Sequence, residues 1–477
     1  MKKLYSIILL AFVCAIVGLH PFGANAQYVK LLDFNGTNGG HPLGSLITDG
    51  TFLYGMTYQG GINGDGCVFK IKPDGTGYSK LYDFTNDSIN GINPYGSLIS
   101  DGVFFYGMTY GGGTYGVGTI FKIKPDGTGY AKLLDFSGTA NGANALGSLI
   151  TDGTFLYGMT SKGGTNDMGV IFKIKPDGTG YSKLHDYIGY PTDGSNPYGD
   201  LFFDGTFFYG MTIGGGANNY YGTIFKIKLD GSGYAKLLDF AGATNGEGPT
   251  GSFISDGTFL YGMTSNGGTS TNCNGGCGVI FKIKPDGTGY SKLYDFTGSP
   301  TDGANPSGNL FSDGTFFYGV DQANMSNGGN LFKIKPDGTG FTKLHDFGLY
   351  SNGNDPIGSL VSDGTSLYGM TEYGGSTCLS GCGTIYKYHP AGMGIVENNA
   401  ETDFSIYPNP NNGTFTITTQ EKEYEIIISN LIGECIYRQI SKSTNQQIDL
   451  SEAKSGIYFL NIKTENGIAN KKLIINK

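Results

Sequence analysis

Tryptophan is absent from this 477-residue chain, histidine occurs five times, and Asp, Glu, Lys and Arg together make up 15% of it. Each shortage excludes something. The missing Trp weighs against a flat platform on which sugars stack. Past the N-terminus the histidines are His41, His185, His345 and His389. No Ser-His-Asp set, no H-E-x-x-H and no phosphate-binding Gly loop ahead of a helix accompanies them, so no catalytic residues and no cofactor are assigned. A net charge of −9 without a long basic run argues against nucleic acid or an anionic membrane surface as partner. After residue 19 no run is long and apolar enough to span a bilayer, and helical periodicity is missing up to residue 394.

Glycine, by contrast, contributes 83 residues, well above the usual ~7%. No Gly-x-y period accompanies it, which excludes collagen. The glycines lie with Tyr, Phe, Thr and Asp in short alternating runs and read as turns between strands. Residues 1–26 read as an export signal: Lys2 and Lys3, an apolar run over residues 7–19, then Ala24-Asn25-Ala26. Val13 ahead of Cys14 is too bulky for a lipobox, so the mature chain is expected to begin at Gln27, without a lipid, where disulfides persist.

The segment KIKPDGTGY starts at Lys70, Lys122, Lys173 and Lys282, and near copies start at Lys226 and Lys333. A tandem period of about 50 residues indicates stacked units. Each unit reads as four strands: GSLI, an Asp-Gly turn into TFLYGMT, a Gly-rich loop into TIFKIK, and PDGTG into YAKLLDF. GSLI-type strands begin at Gly44, Gly96, Gly147, Gly199, Gly251, Gly308 and Gly358. The KLxDF strand also occurs seven times, but its first copy, residues 28–34, precedes every GSLI strand, and the last unit has none. That offset predicts a seven-bladed β-propeller over residues 27–394 in which residues 28–34 pair antiparallel with residues 383–389 and close the ring. The motifs DGTFLYGMT, GGT…GxIFKIKPDGTGY and KLxDF resemble the GloVer tandem-repeat family, a likeness that covers nearly all of residues 28–394 and implies no particular activity.

Turns one–two and three–four share one face of such a ring, and their spacing is constant. Loops two–three and four–one share the other, where the distance from the Tyr of YGM to the aromatic of IFK varies from 14 to 20 residues. Variable loops on a rigid scaffold are where binding is expected. Units five to seven depart furthest and supply the candidate binding residues: Asn272 and Asn274, then Asp321, Gln322 and Asn324 where GMT becomes Gly-Val-Asp, then Glu372 and Tyr373. Two local disulfides are expected, Cys273–Cys277 and Cys378–Cys382, with Cys67 and Cys435 left as small hydrophobes. No metal is expected: a zinc site needs both pairs to converge across an intervening unit, and PDGTG lacks the calcium-loop spacing. The Asp of KLxDF, present in every unit, reads as a hydrogen-bonding anchor.

After a polar linker at residues 395–403, Gly becomes scarce and short strands continue to the end, as in a small Ig-like β-sandwich. Tyr407-Pro408-Asn409-Pro410 with Gly413, then Gly433, Gly456 and Tyr458, then Lys471-Lys472 in KKLII, closely resemble the type A C-terminal sorting domain of type IX secretion. The resemblance implies that residues 404–477 engage that machinery, with release or attachment at the outer surface of a Gram-negative cell. The leading expectation is a monomeric propeller that binds an extracellular glycan or protein. The rivals are a polysaccharide lyase or hydrolase and a purely structural surface protein; non-repeated carboxylates or a His at the channel mouth favour the enzyme.

Overall fold

The DGTFLYG segment shows residue by residue why each repeat makes a sheet. Gly50, with φ +85°, takes the first central position of a turn joined by Asp49 N–H to Phe52 C=O at 3.3 Å. A type II′ hairpin reserves that position for Gly. Asp49 flanks the turn rather than occupying a central position. Its Oδ1 accepts from the Thr51 and Phe52 N–H groups, and its Oδ2 from the Tyr54 hydroxyl at 2.8 Å. The same carboxylate–Tyr bond recurs in every repeat, from Asp101–Tyr106 to Asp363–Tyr368. The Gly of YGM lies beneath the Phe of IFK: a Cβ on Gly107 would stand 2.6 Å from the Phe121 ring.

The computed structural model describes residues 27–87, 90–322, 328–348, 351–376, 378, 381–390, 404–409, 411–430, 435–453, 456–464 and 467–475. The proposed signal, the linker, Asn324, Pro410 and Gly433 lie outside them. All assigned elements are strands. Those from Gln27–Asp33 to Thr384–His389 form seven antiparallel sheets, each with strands in the sequential order typified by Ile150–Thr151, Leu156–Thr160, Val170–Ile174 and Ser182–Asp186. The exception is the sheet of the last repeat, whose outermost strand is Gln27–Asp33, antiparallel to Thr384–His389 with Tyr28 opposite Tyr388. Its register shifts between Lys30 and Leu32, at the place where Ala131–Asp135 shifts between Lys132 and Leu134. The first strand of the chain thus takes the fourth place in the last sheet with the bulge that marks every other fourth strand. It buries Phe34, whose ring meets Phe69 of the first repeat edge-on at 5.4 Å.

Successive sheets pack through mixed clusters: Tyr106, Met108 and Ile120 of one repeat lie against Leu149, Phe172 and Ile174 of the next. The ring closes at the axis. In the first five repeats the strand pairing begins only at the fourth residue of the GSLI segment, as at Ile47, whereas Pro306–Ser312 and Asn354–Ser362 run through Gly308 and Gly358 with a register shift there. A Cβ on Gly44 would stand 2.3 Å from the carbonyl oxygen of Gly96, and the same approach runs Gly96–Gly147, Gly147–Gly199, Gly199–Gly251, Gly251–Gly308, Gly308–Gly358 and Gly358–Gly44, at 2.0–2.5 Å. The chain of contacts returns to its start. Because the obstructing atom is backbone, Gly251→Ala is expected to lower stability by about 3 kcal/mol, the upper part of the overpacking range. Gly348→Ala, with no heavy atom within 4 Å of the added carbon, serves as control. Equal denaturant midpoints for the two variants would contradict this account of the axis.

The tail forms a second unit of two sheets, Phe404–Tyr407, Thr414–Thr419 and Asn445–Asp449 in one, and Cys435–Ser441, Tyr424–Asn430, Gly456–Thr464 and Gly467–Ile475 in the other. Between them Phe404, Phe415, Ile417, Ile426, Ile428 and Leu460 are buried. Tyr407 is exposed at the end of its strand, Tyr458 is buried, and the Gly413 carbonyl accepts from Leu450 N–H at 2.7 Å. Lys471 and Lys472 lie opposite Leu460 and Phe459 in the closing strand pair.

Candidate functional site

A cavity of about 400 Å³ occupies the axis, bounded by the Gly-Ser ring and by residues of loops two–three and four–one, such as Ser265, Gln322, Glu372, Tyr95, Tyr198 and Asn305. Its floor carries six hydrogen bonds between neighbouring repeats. Ser45 N–H donates to Ser97 Oγ at 2.7 Å, Ser97 N–H to Ser148 Oγ at 2.8 Å, and Ser148 N–H to Asp200 Oδ1 at 2.5 Å. Ser252 N–H donates to Asn309 Oδ1, Asn309 N–H to Ser359 Oγ, and Ser359 N–H to Ser45 Oγ. Asp200 is the one ionisable group among these residues, and burial holds its carboxyl above the ordinary carboxylate range, against opposing bonds from Ser148 and Asn309.

The next level up is a ring of Asn residues. Asn93, Asn144, Asn196 and Asn305 sit at φ 54–56° and donate their amides to the carbonyls of Tyr58, Tyr110, Ser161 and Ser265 at 2.8–2.9 Å, stapling each repeat to the one before. Asn tolerates that left-handed backbone better than most residues. Asp355 and His41 hold the same position in the last and first repeats, at φ 54° and 52°, and neither has an amide to donate. Burial pushes the Asp355 carboxyl up to about 6 and lowers the His41 imidazole, whose ring meets Tyr373 edge-on at 5.0 Å.

Immediately after each YGMT strand come Tyr58, Tyr110, Ser161, Ile213, Ser265, Gln322 and Glu372. Glu372 alone carries charge at this level. Burial raises its carboxyl, the Tyr373 hydrogen bond opposes that, and the nearby Asp355 charge adds to it. Tyr198 is pushed up to about 12, chiefly by burial and further by Glu372. Its hydroxyl bonds that of Tyr95 across the intervening repeat.

The candidate residues thus separate. Gln322 and Glu372 line the cavity, and Tyr373 supports Glu372 from the side. Asp321 is a correction: it is fully buried and accepts from Asn330 Nδ2 at 3.1 Å. It stands where three other repeats pair two threonines, as Thr109 with Thr119 at 3.0 Å, so the Asp is answered by Asn330 inside the sheet and offers nothing to a ligand. Asn272, exposed, donates to the Thr297 carbonyl at 2.8 Å, and Asn274 is exposed on the same loop. Neither lines the cavity. Both expected disulfides are present, Cys273–Cys277 and Cys378–Cys382, and Cys67 is free and buried. The KLxDF carboxylates hold the second-face loops: Asp83 accepts from Ile62 N–H and Asp135 from Thr114 N–H, both at 2.9 Å, while Lys80 and Lys132 pair with them.

Asp200, Asp355, His41, Tyr95 and Tyr198 were not among the candidates. The signal that finds them is vertical: stacking the repeats shows GDLF against GSLI, DPIG against NPYG, and His41-Pro42 where other repeats have Asn-Pro.

A family model described as the Gloeobacter/Verrucomicrobia repeat matches residues 15–202, 151–275 and 267–422, and one described as a secretion system C-terminal sorting domain matches residues 405–476. No curated protein matches the sequence. Among solved structures the chain is similar to PorZ, a surface component of the type-IX secretion system of Porphyromonas gingivalis, at 14% identity and TM-score 0.48, covering 94% of this chain and 60% of that one. This chain therefore spans three fifths of that protein's length. A puromycin-hydrolysing peptidase of Mycobacterium tuberculosis matches at 12% and 0.44, over 82% of this chain and 61% of that one. TolB of Acinetobacter baumannii matches at 12% and 0.35, over 71% and 80%. With TM-scores below 0.5, none of these likenesses bears on function.

Proposed function

Because the chain belongs to the Gloeobacter/Verrucomicrobia repeat family and ends in a secretion-system sorting domain, we propose that it is a surface propeller that binds an extracellular glycan through its variable loop face. The sorting domain makes it an exported protein, secreted or attached to the outer surface of a Gram-negative cell, and makes the type IX machinery its partner in transit. The observation that carries the binding reading is the axial cavity. At about 400 Å³ it falls in the range of small-ligand sites. Its rim of Tyr, Asn, Gln and Ser offers stacking faces and hydrogen-bond partners suited to sugar hydroxyls. A concave site of this size suits a sugar unit better than the broad surface of a protein partner.

A glycan array probed with the purified protein tests it. Saturable binding is expected, and Gln322→Trp, which fills the mouth, is expected to weaken it more than about tenfold with the melting temperature unchanged. Binding to no glycan, or binding indifferent to Gln322→Trp, would remove the reading.

One observation favours a second reading, an extracellular lyase or hydrolase. Glu372 and Asp355 are non-repeated carboxyls: the Asp355 charge helps to raise Glu372, and burial raises Asp355 to about 6, where it holds a proton more readily than an ordinary carboxyl, as a general acid must. Product release from a polysaccharide panel, lost in Asp355→Asn, would establish it over simple binding.

A further inference from the structure

The cavity has a sign. Its lining contains no Lys, Arg or His, and it contains two carboxylic acids, Glu372 near the rim and Asp200 in the floor. Both stand where the other repeats place uncharged residues, and Asp355 adds a third acid in the Asn level beside Glu372. Among the described residues none of these three acids forms an ion pair. His41, on the same level as Asp355, has its imidazole lowered by burial, which disfavours its charged form. The lysines of the fourth strands, such as Lys80, Lys132 and Lys236, pair with KLxDF carboxylates at the rim of the ring. Those of the third strands, such as Lys70, Lys173 and Lys282, lie over Phe rings at the opposite face. Among the described residues no three His, Cys, Asp or Glu side chains group closely enough to hold a metal.

An enclosed acid without a partner repels anions and favours a cation brought by the ligand, and the effect grows as water is displaced. The floor adds direction: Asp200, whose Oδ1 accepts from Ser148 N–H, is the one carboxyl among the serine and Asn side chains there and lines the axial cavity. We propose that the axial cavity selects a glycan unit bearing a protonated amino group, a de-N-acetylated hexosamine, over its N-acetylated and uronic acid counterparts. This rests on the glycan reading above. The ammonium is the group that Glu372 and Asp200 recognise, and the ring hydroxyls meet the Tyr, Asn and Gln side chains of the rim.

Calorimetric titration of the purified protein at pH 7 with glucosamine tetrasaccharide, its fully N-acetylated form and tetragalacturonate tests the choice. The amino form is expected to bind at least about tenfold more tightly than either other, and added salt is expected to narrow the gap. Glu372→Gln should erase most of the preference while leaving the melting temperature in place; if that variant does not fold, Asp200→Asn makes the same comparison. Equal affinity for the amino and N-acetylated forms, or tighter binding of the uronate, would overturn the amine selectivity and leave the glycan reading standing. Binding of none of the three would overturn the amine selectivity, while the glycan array decides the glycan reading.

Discussion

A chain lacking residues 28–34 is expected to lose cooperative folding of the ring, although only seven residues are gone. The reason lies in what that strand covers. Gln27–Asp33 is the outermost strand of the last sheet, so its loss bares the hydrogen-bonding edge of Thr384–His389. Phe34 is fully buried against Phe69 of the first repeat, in the cluster that also holds Leu46, Tyr368, Met370 and Ile385. Emptying such a site costs about 3–5 kcal/mol, and each ladder bond adds about 0.5–1.5 kcal/mol. Set against a typical total of about 5–15 kcal/mol, the sum is enough to unfold the ring. An exposed edge also invites pairing with other chains. The measurement is thermal unfolding together with light scattering. A truncated chain that melts within a few degrees of the parent and stays unaggregated would show that the strand is not what holds the ring shut.

That strand was also the most legible part of the fold. Its KLLDF sequence, standing alone before the first GSLI, has meaning only in a closed ring, because a linear stack has no place for it. Repetition made the rest readable: Asp49, Gly50, Tyr54 and Gly55 each answer a local demand, a turn cap, a left-handed φ, a hydroxyl partner and an overlying Phe69 ring. The axis was not readable in the same way. Gly44 and Ser45 look like the start of a strand, and only the approach of the next repeat, at the Gly96 carbonyl, gives them their role. The site was half legible. Glu372 and Gln322 stood out because they follow a conspicuous motif, and so did Asp321. Asp321, however, had its compensating change at Asn330, nine residues on and across the sheet, and a scan for odd residues does not reveal which of them have been answered. Asp200 and Asp355 escaped for the opposite reason: each is a single small change inside a well-kept motif, and its weight comes from the axis it faces.

Deleting residues 404–477 is expected to leave a folded ring that no longer leaves the periplasm. Folding and address separate because the two parts bury different residues. Every fully buried member of the tail cluster lies at or after Phe404, from Phe404 itself to Ile475. The clusters between successive sheets, such as those around Phe136 and Phe240, draw on none of them. Removing the tail therefore takes nothing from the packing that closes the ring, and Phe34 still meets Phe69. What is lost is the surface the secretion machinery reads, the sorting domain matched at residues 405–476. Within it the exposed Tyr407 lies on the accessible side, whereas Tyr458 packs inside and holds the sandwich together. The truncated chain should thus fractionate with periplasmic proteins, resist proteolysis as the intact ring does, and be missing from the cell surface and the medium. Tyr458→Ala should reproduce the export defect in the full-length chain by unfolding the tail alone. Truncated protein recovered outside the cell in amounts near those of the parent would mean that the address lies elsewhere in the chain. Truncated protein degraded in the periplasm would mean that the ring depends on the tail after all.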